Sequence, residues 1–341
     1  MGKIIFAQDT GYGTDKYAYR NAQGKIKLGK VNSAIAEAPD ESLDTPLFEK
    51  KRYYLGDIAL LSESKNILNV IDYKDHEKFA PLSLWHALQV SNVDDKDVGM
   101  YSLGLSLAQK QHAKEFMKRM ASFNVDKVNY KLQNRMMLFP QAVGAKYAID
   151  ELHYKDAPDD DKNYAIVDIG QLTVDLVTVF KGKTREENAS GMAHLGIVKI
   201  TQDLEEYIAS NQDMDNAVIS MKEAQEILLS NKFIRYGETF DLTGIIDKFK
   251  KEYTKYLLTN LADRHKNIFQ KIAKIYLIGG GVYYLDKDEM ANFKGFPVKS
   301  LKIPEECEYY NAMGNLLGAE KAIMEGKFPN IDFSEFNQPS N

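Results

Sequence analysis

The chain places one device at three distant points: an apolar run that ends in a glycine-rich turn. The first, Ile4–Lys16, reads Ile-Ile-Phe-Ala-Gln-Asp-Thr-Gly-Tyr-Gly-Thr-Asp-Lys. The second, Ala165–Asp175, reads Ala-Ile-Val-Asp-Ile-Gly-Gln-Leu-Thr-Val-Asp, and the third, Ile275–Tyr284, reads Ile-Tyr-Leu-Ile-Gly-Gly-Gly-Val-Tyr-Tyr. Glycine lets backbone N–H groups come close to a phosphate, with no Cβ in the way. The first two turns add an aspartate, a residue suited to hydrated Mg²⁺. Both run on into a second apolar strand, so they read as hairpins. That pattern excludes a P-loop, whose glycines open a helix, and no Gly-x-x-x-x-Gly-Lys-Ser/Thr occurs. It also departs from the dinucleotide fingerprint, because Lys16 stands where the third glycine belongs.

At 341 residues the chain suits two domains rather than one small core. With 44% hydrophobic and 27% charged residues it has the composition of a folded globular protein. A formal net charge of −5 argues against a generally basic nucleic-acid binder. The single cysteine, Cys307, excludes an intramolecular disulfide and a cysteine-based zinc site. No long apolar segment marks a secretory leader or a membrane span, so a cytoplasmic chain with no membrane partner is expected.

Hydrophobic periodicity predicts strands at Lys3–Asp9, Lys16–Tyr19, Val98–Leu107, Tyr164–Ile169, Thr173–Phe180 and Lys274–Ile278. It predicts helices at Leu82–Val90, Gln109–Phe123, Leu138–Ile149, Ile200–Ala209, Ser220–Leu229, Ile245–Lys271 and Asn311–Met324. The Lys-rich stretch Lys248–Lys255 reads as a solvated helix face. A polar linker with four aspartates and Pro158 spans Asp156–Asp161, and a domain boundary is placed there. The second hairpin then repeats the arrangement of the first, an internal duplication of pattern rather than of detailed sequence.

In order and spacing these motifs resemble the superfamily of actins, heat-shock chaperone ATPases and sugar kinases. Within it the likeness is strongest to bacterial actin-like plasmid segregation proteins of the ParM/StbA type. Asp9-x-Gly11-x-Gly13-x-x-Lys16 looks like the first phosphate motif, and Asp168-Ile169-Gly170-x-x-Thr173-x-Asp175 like the second. Gly279-Gly280 with Tyr283 and Tyr284 resembles the adenosine motif. Phe139–Ala145 looks like the inter-lobe helix that bears a water-positioning residue, here Gln141. Lys222-Glu223 resembles the pair bordering the adenosine, and Asn311-Ala312-Met313-Gly314 the start of the C-terminal helix. Tyr54–Ala59 and Gly104–Leu107 point to the segregation branch. The pattern is departed from at Gln171 and Leu172, where relatives carry small residues, at Ser106, and at the large Tyr12.

The resemblance implies an α/β, two-lobed actin-like (ribonuclease H-like) fold, with duplicated mixed-sheet cores and a nucleotide cleft between the lobes. Residues 1–158 would form domain I, with a C-terminal helix at 306–330 packing back on it. Residues 159–305 would form domain II, and 331–341 a tail. The implied cofactors are ATP/ADP, with GTP as the alternative, and Mg²⁺. Nucleotide contacts fall to Asp9, Gly11, Tyr12, Gly13, Thr14, Lys16, Gly170, Gln171, Leu172, Thr173, Lys222, Glu223, Gly279, Gly280, Gly281, Tyr283 and Tyr284. Asp9, Asp168 and Asp175 would meet the metal mainly through water. Gln141 and Asp168 would serve hydrolysis, since an amide can orient a water but takes up no proton at neutral pH.

The implied function is slow ATP hydrolysis coupled to assembly of a homopolymeric filament for plasmid or DNA segregation. A DNA-binding adaptor would be the link to cargo, with no direct nucleic-acid contact. The alternatives are a membrane-associated cell-shape or division actin homologue and a small-molecule kinase of the same superfamily. The kinase would need a carboxylate base where Gln141 stands. A heat-shock chaperone would need a peptide-binding domain beyond the C-terminal helix.

Overall fold

The computed structural model describes residues 4–62, 66–68, 70, 72–184, 189–295 and 300–327. The expected tail at 331–341 lies outside the described residues. The chain divides into two compact units. Residues 1–158 and 308–341 make the first, and residues 159–307 the second.

Unit 1 opens with β1 (Ile4–Asp9), β2 (Thr14–Arg20) and β3 (Ile26–Asn32). A small sheet follows, made of β4 (Ile35–Ala38), β5 (Leu47–Phe48) and β6 (Lys51–Leu55). After it come α1 (Asp57–Leu60), α2 (Tyr73–Ser91) and β7 (Val98–Leu105). Then come α3 (Ala113–Ala121), the hairpin β8 (Ser122–Val125) and β9 (Val128–Lys131), β10 (Met136–Pro140), and α4 (Ala145–His153).

Unit 2 contains β11 (Tyr164–Ile169), β12 (Thr173–Phe180), β13 (Lys183–Thr184) and β14 (Ser190–Ala193). Next are α5 (Val198–Ser210), α6 (Met221–Ser230), β15 (Lys232–Arg235) and β16 (Glu238–Asp241). It ends with α7 (Thr243–Phe269), β17 (Lys274–Ile278), a 3₁₀ turn at Gly280–Tyr284, α8 (Lys287–Asn292) and β18 (Leu301–Lys302). The chain then returns to unit 1 as α9 (Tyr310–Met324). Among the described residues no helix is long and apolar enough to cross a membrane.

The two main sheets have the same wiring. Unit 1 runs β10-β7-β1-β2-β3 and unit 2 runs β18-β17-β11-β12-β13, with β14 added beside β12. In each, the central strand pairs antiparallel with the next strand of its hairpin and parallel with a later strand. The duplication read from the sequence is therefore one of topology.

Alternation along β1 explains why both faces of its sheet are covered. Phe6 points into a core with Tyr17, Leu82, Tyr101, Leu103 and Phe116. Its neighbours Ile5 and Ala7 point the other way, against Ala312, Leu316 and Ala319 of α9. Glycines let α9 lie close to α4: a Cβ on Gly314 would sit 2.1 Å from the Gly144 carbonyl oxygen. In unit 2, Ala165, Val167 and Ile169 share one face of β11 and meet Ile200, Leu204, Leu257 and Leu261 of the covering helices. Each fully buried leucine or phenylalanine in these layers contributes about 2 kcal/mol.

Two expectations are corrected here. The segment Leu138–Ile149 is not one helix: Met136–Pro140 is a strand, and the helix starts only at Ala145. β10 pairs parallel with β7, Phe139 opposite Gly104 and Pro140 opposite Leu105. It is an edge strand, where the missing N–H of a terminal proline is tolerated. Likewise Gln109–Phe123 divides into a 3₁₀ turn at Leu107–His112, α3, and the first residues of β8.

Candidate functional site

The first turn is built by a carbonyl that folds over a glycine. A Cβ on Gly11 would lie 2.5 Å from the Thr14 carbonyl oxygen, so no other residue fits there. The Gly11 N–H donates to Asp15 Oδ1 at 2.9 Å, and the other Asp15 oxygen accepts from the Ser83 hydroxyl of α2. Gly11 therefore shapes the loop and has its own N–H committed. The Gly13 carbonyl accepts from Ser33 N at 3.2 Å. Tyr12 stacks on His76 of α2, with ring centroids 4.5 Å apart. Lys16 stands opposite Asp9 in the hairpin register, largely buried, and its Nζ donates to the Thr14 carbonyl at 3.0 Å.

Asp9 ends β1 and is 4% exposed. Its Oδ1 accepts from Gln141 Nε2 at 2.6 Å. Burial raises the Asp9 carboxyl above its usual range, while the Lys16 ammonium and hydrogen bonds from Gln141 and Asn311 oppose that rise. Gln141 follows β10 directly, in a turn rather than on the helix expected from the sequence, and its backbone N–H donates to the Leu105 carbonyl at 2.8 Å. Unit 1 thus brings Asp9, Lys16 and Gln141 together at the carboxyl ends of parallel strands.

Unit 2 repeats the construction. Gly170 follows Asp168 by two residues and Thr173 by minus three, as Gly11 does Asp9 and Thr14. A Cβ on Gly170 would lie 3.2 Å from the Thr173 carbonyl oxygen. Asp168 pairs with Asp175 across the hairpin. The carbonyls of Gly170, Gln171 and Leu172 accept from the N–H groups of Ile197, Val198 and Gly196 at 3.1, 2.8 and 3.3 Å. These bonds fix a loop whose bulky Gln171 and Leu172 had marked a departure from the family pattern. Thr173 and Leu172 are buried within it.

The third turn packs on the second. Gly279 has φ +88°, and a Cβ there would lie 2.3 Å from Asp168 Oδ1. A Cβ on Gly281 would lie 2.6 Å from the Ile169 carbonyl oxygen. Gly280 opens the 3₁₀ turn, in which Tyr284 packs into the core while Tyr283 is half exposed. Of the two tyrosines, Tyr283 is the one open to solvent. Lys222 and Glu223 begin α6, which packs on this turn. The Glu223 carboxylate accepts from Ser220 N at 2.7 Å in a capping box, so its first role is to start the helix.

Sequence reasoning passed over Asp15, Ser83 and Asn315. His76 and Ser83, which contact Tyr12 and Asp15, lie seven residues apart on α2, two turns along one face. Asn311 and Asn315 are four apart on α9 and both buried. Polar residues at helical spacing on an otherwise apolar face were the available signal.

The chain resembles proteins of known structure. Its Cα trace superposes on ParM from pCBH, a non-polymerisable quadruple mutant, with a TM-score of 0.73. That match has 18% identity and covers 94% of this chain and 100% of the other. This is an actin-like fold. A 15-stranded ParM filament from Clostridium botulinum matches with a TM-score of 0.67 and 18% identity, over 94% and 100% of the two chains. An archaeal actin homologue in complex with ADP matches with a TM-score of 0.67 and 16% identity, over 93% and 99%. The family model for the C-terminal part of archaeal MreB-like actin homologues matches residues 166–290. No curated protein sequence matches the chain.

Proposed function

We propose that the chain binds ATP with Mg²⁺, hydrolyses it slowly, and assembles into filaments that segregate plasmid DNA in the cytoplasm through a DNA-binding adaptor. One observation carries the reading. In each unit an aspartate closes the central strand or stands one residue before its end, a glycine crowded by a carbonyl lies two residues after that aspartate, and the chain turns back antiparallel. Each such turn suits a nucleotide's phosphates, which Tyr12, Gly13, Thr14 and Lys16 would meet in the first and Gly170–Thr173 in the second. Gly279–Gly281, Tyr283 and Lys222 would border the nucleoside. The likeness to an ADP-bound archaeal actin homologue and to a ParM filament supports nucleotide binding and self-assembly.

Each unit supplies carboxylate oxygens of the kind hydrated Mg²⁺ takes. Asp9, Asp168 and Asp175 are hard oxygen donors, and a nearby cation would relieve the desolvation that raises Asp9. When bound, Mg²⁺ would neutralise phosphate charge. Gln141, its Nε2 held by Asp9, would offer its carbonyl oxygen to the attacking water. Assembly would follow from a higher affinity of the ATP-bound chain for its neighbours, through a heterologous, non-closing contact.

The test is light scattering and electron microscopy with ATP, GTP and ADP, on wild type and Asp168→Ala. Filaments in wild type with ATP, persisting longer in the variant, are expected. If no nucleotide yields filaments over a wide range of protein concentration, the filament reading fails. Sugar-stimulated phosphate transfer without assembly would replace it with the kinase.

A further inference from the structure

Asn311 is the second residue of α9 and is 3% exposed. A buried carboxamide is costly unless both of its ends are bonded. A first-turn asparagine commonly serves its own helix, yet α9 has no side-chain cap at its start. Asn311 instead spends its amide on two other elements. Its Oδ1 accepts from the Ala142 N–H at 2.9 Å, and its side chain hydrogen-bonds Asp9. Ala142 is fully buried and has φ +61°, a conformation unfavourable for a residue with a side chain. It directly follows Gln141, which itself bonds Asp9. Asn311, Asp9 and the Gln141–Ala142 turn thus form a closed polar triangle.

One helical turn on, Asn315 anchors the same helix face. Its carbonyl oxygen accepts from Ser102 Oγ at 2.8 Å, and its Nδ2 lies 3.5 Å from the Gln8 carbonyl oxygen, next to Asp9. The triangle is therefore held at a fixed height on the sheet.

We infer that Asn311 is a positioning residue for hydrolysis, holding the strained Gln141–Ala142 turn against Asp9 so that the Gln141 amide faces the attacking water. The inference rests on the nucleotide-hydrolysis reading above. It adds that the C-terminal helix, through one side chain that need not touch substrate, sets the geometry of that step. Misplacing a water-orienting group by about 1 Å costs roughly 100-fold in rate.

The experiment compares wild type, Asn311→Ala, Asn311→Asp, Gln141→Ala and the Asn311→Ala/Gln141→Ala double variant in phosphate-release kinetics with ATP and Mg²⁺. The aspartate keeps an acceptor for Ala142 N–H but repels Asp9, which separates the two arms of the contact. Both Asn311 variants should lower kcat by about 10- to 100-fold with KM within about 3-fold. The double variant should be no slower than Gln141→Ala alone. An Asn311→Ala kcat within 2-fold of wild type, or a double variant slowed by the product of the two single effects, overturns the inference.

Amide hydrogen exchange at Ala142 reads the geometry independently of activity, with protection expected in wild type and lost in Asn311→Ala. Unchanged protection also overturns it. A wild type that releases no phosphate at all removes the function reading, and this inference with it. A wild type that hydrolyses while the Asn311 variants behave like it removes this inference alone.

Discussion

Asp168 Oδ1 lies where the side chain of residue 279 would begin, 2.3 Å from the Cβ position of Gly279. The carboxylate proposed to meet hydrated metal is thus seated directly on the backbone of the turn proposed to meet the nucleoside. Gly279→Ala would push the carboxylate aside and force an alanine to φ +88°. The backbone strain alone costs about 1–3 kcal/mol. Urea unfolding should report that loss, and phosphate release should fall at least as far as in Asp168→Ala, whose fold should stay intact.

Gln141 and Asp9 are joined at 2.6 Å. Gln141→Ala is expected to reduce phosphate release by about 100-fold while leaving ATP affinity within a few-fold. Equilibrium binding of a fluorescent ATP analogue beside single-turnover hydrolysis separates the two. A parallel loss of binding and turnover would count against a water-orienting role.

Asp9 should make stability fall as pH rises. Burial lifts its carboxyl above the ordinary aspartate range, so the unfolded chain ionises first. Its favourable contribution is complete below pH of about 4 and is lost as pH climbs through the raised folded-state value. Lys16 is the cation facing it, and it limits the effect. In Asp9→Asn, melting temperatures between pH 4 and 8 should vary less than in wild type. An unchanged profile would reject the buried-carboxylate account.

His76 acts in the opposite sense. Its ring lies between Tyr12 and Phe116, and burial lowers its pKa to about 4. The unfolded chain takes up a proton from pH of about 6.5 downward, so stability is lost between there and about pH 4. The full span is of order 3 kcal/mol. His76→Phe keeps a ring under Tyr12 and should flatten that acid limb. A residual slope from His86 and His265, both also lowered by burial, should remain.

Much of this was legible in the sequence where chemistry is local. The hairpins at Asp9 and Asp168 and the strand Lys274–Ile278 announced themselves by apolar runs halted at glycine. Leu138–Pro140 was misread because a short apolar run ending in proline fits either a helix start or an edge strand. Only its pairing with β7 decides between them. The role of Asn311 was hidden for a different reason. Its partner Ala142 is 169 positions away, and no local spacing encodes such a contact.

The return of α9 to unit 1 has a consequence for how the chain is made. Unit 2 is one uninterrupted stretch, whereas unit 1 needs its last helix to cover one face of its sheet. Asn315 meets Gln8 across 307 positions. On the ribosome the middle of the protein can therefore complete its fold first, while β1 waits with Ile5 and Ala7 uncovered until α9 has been made.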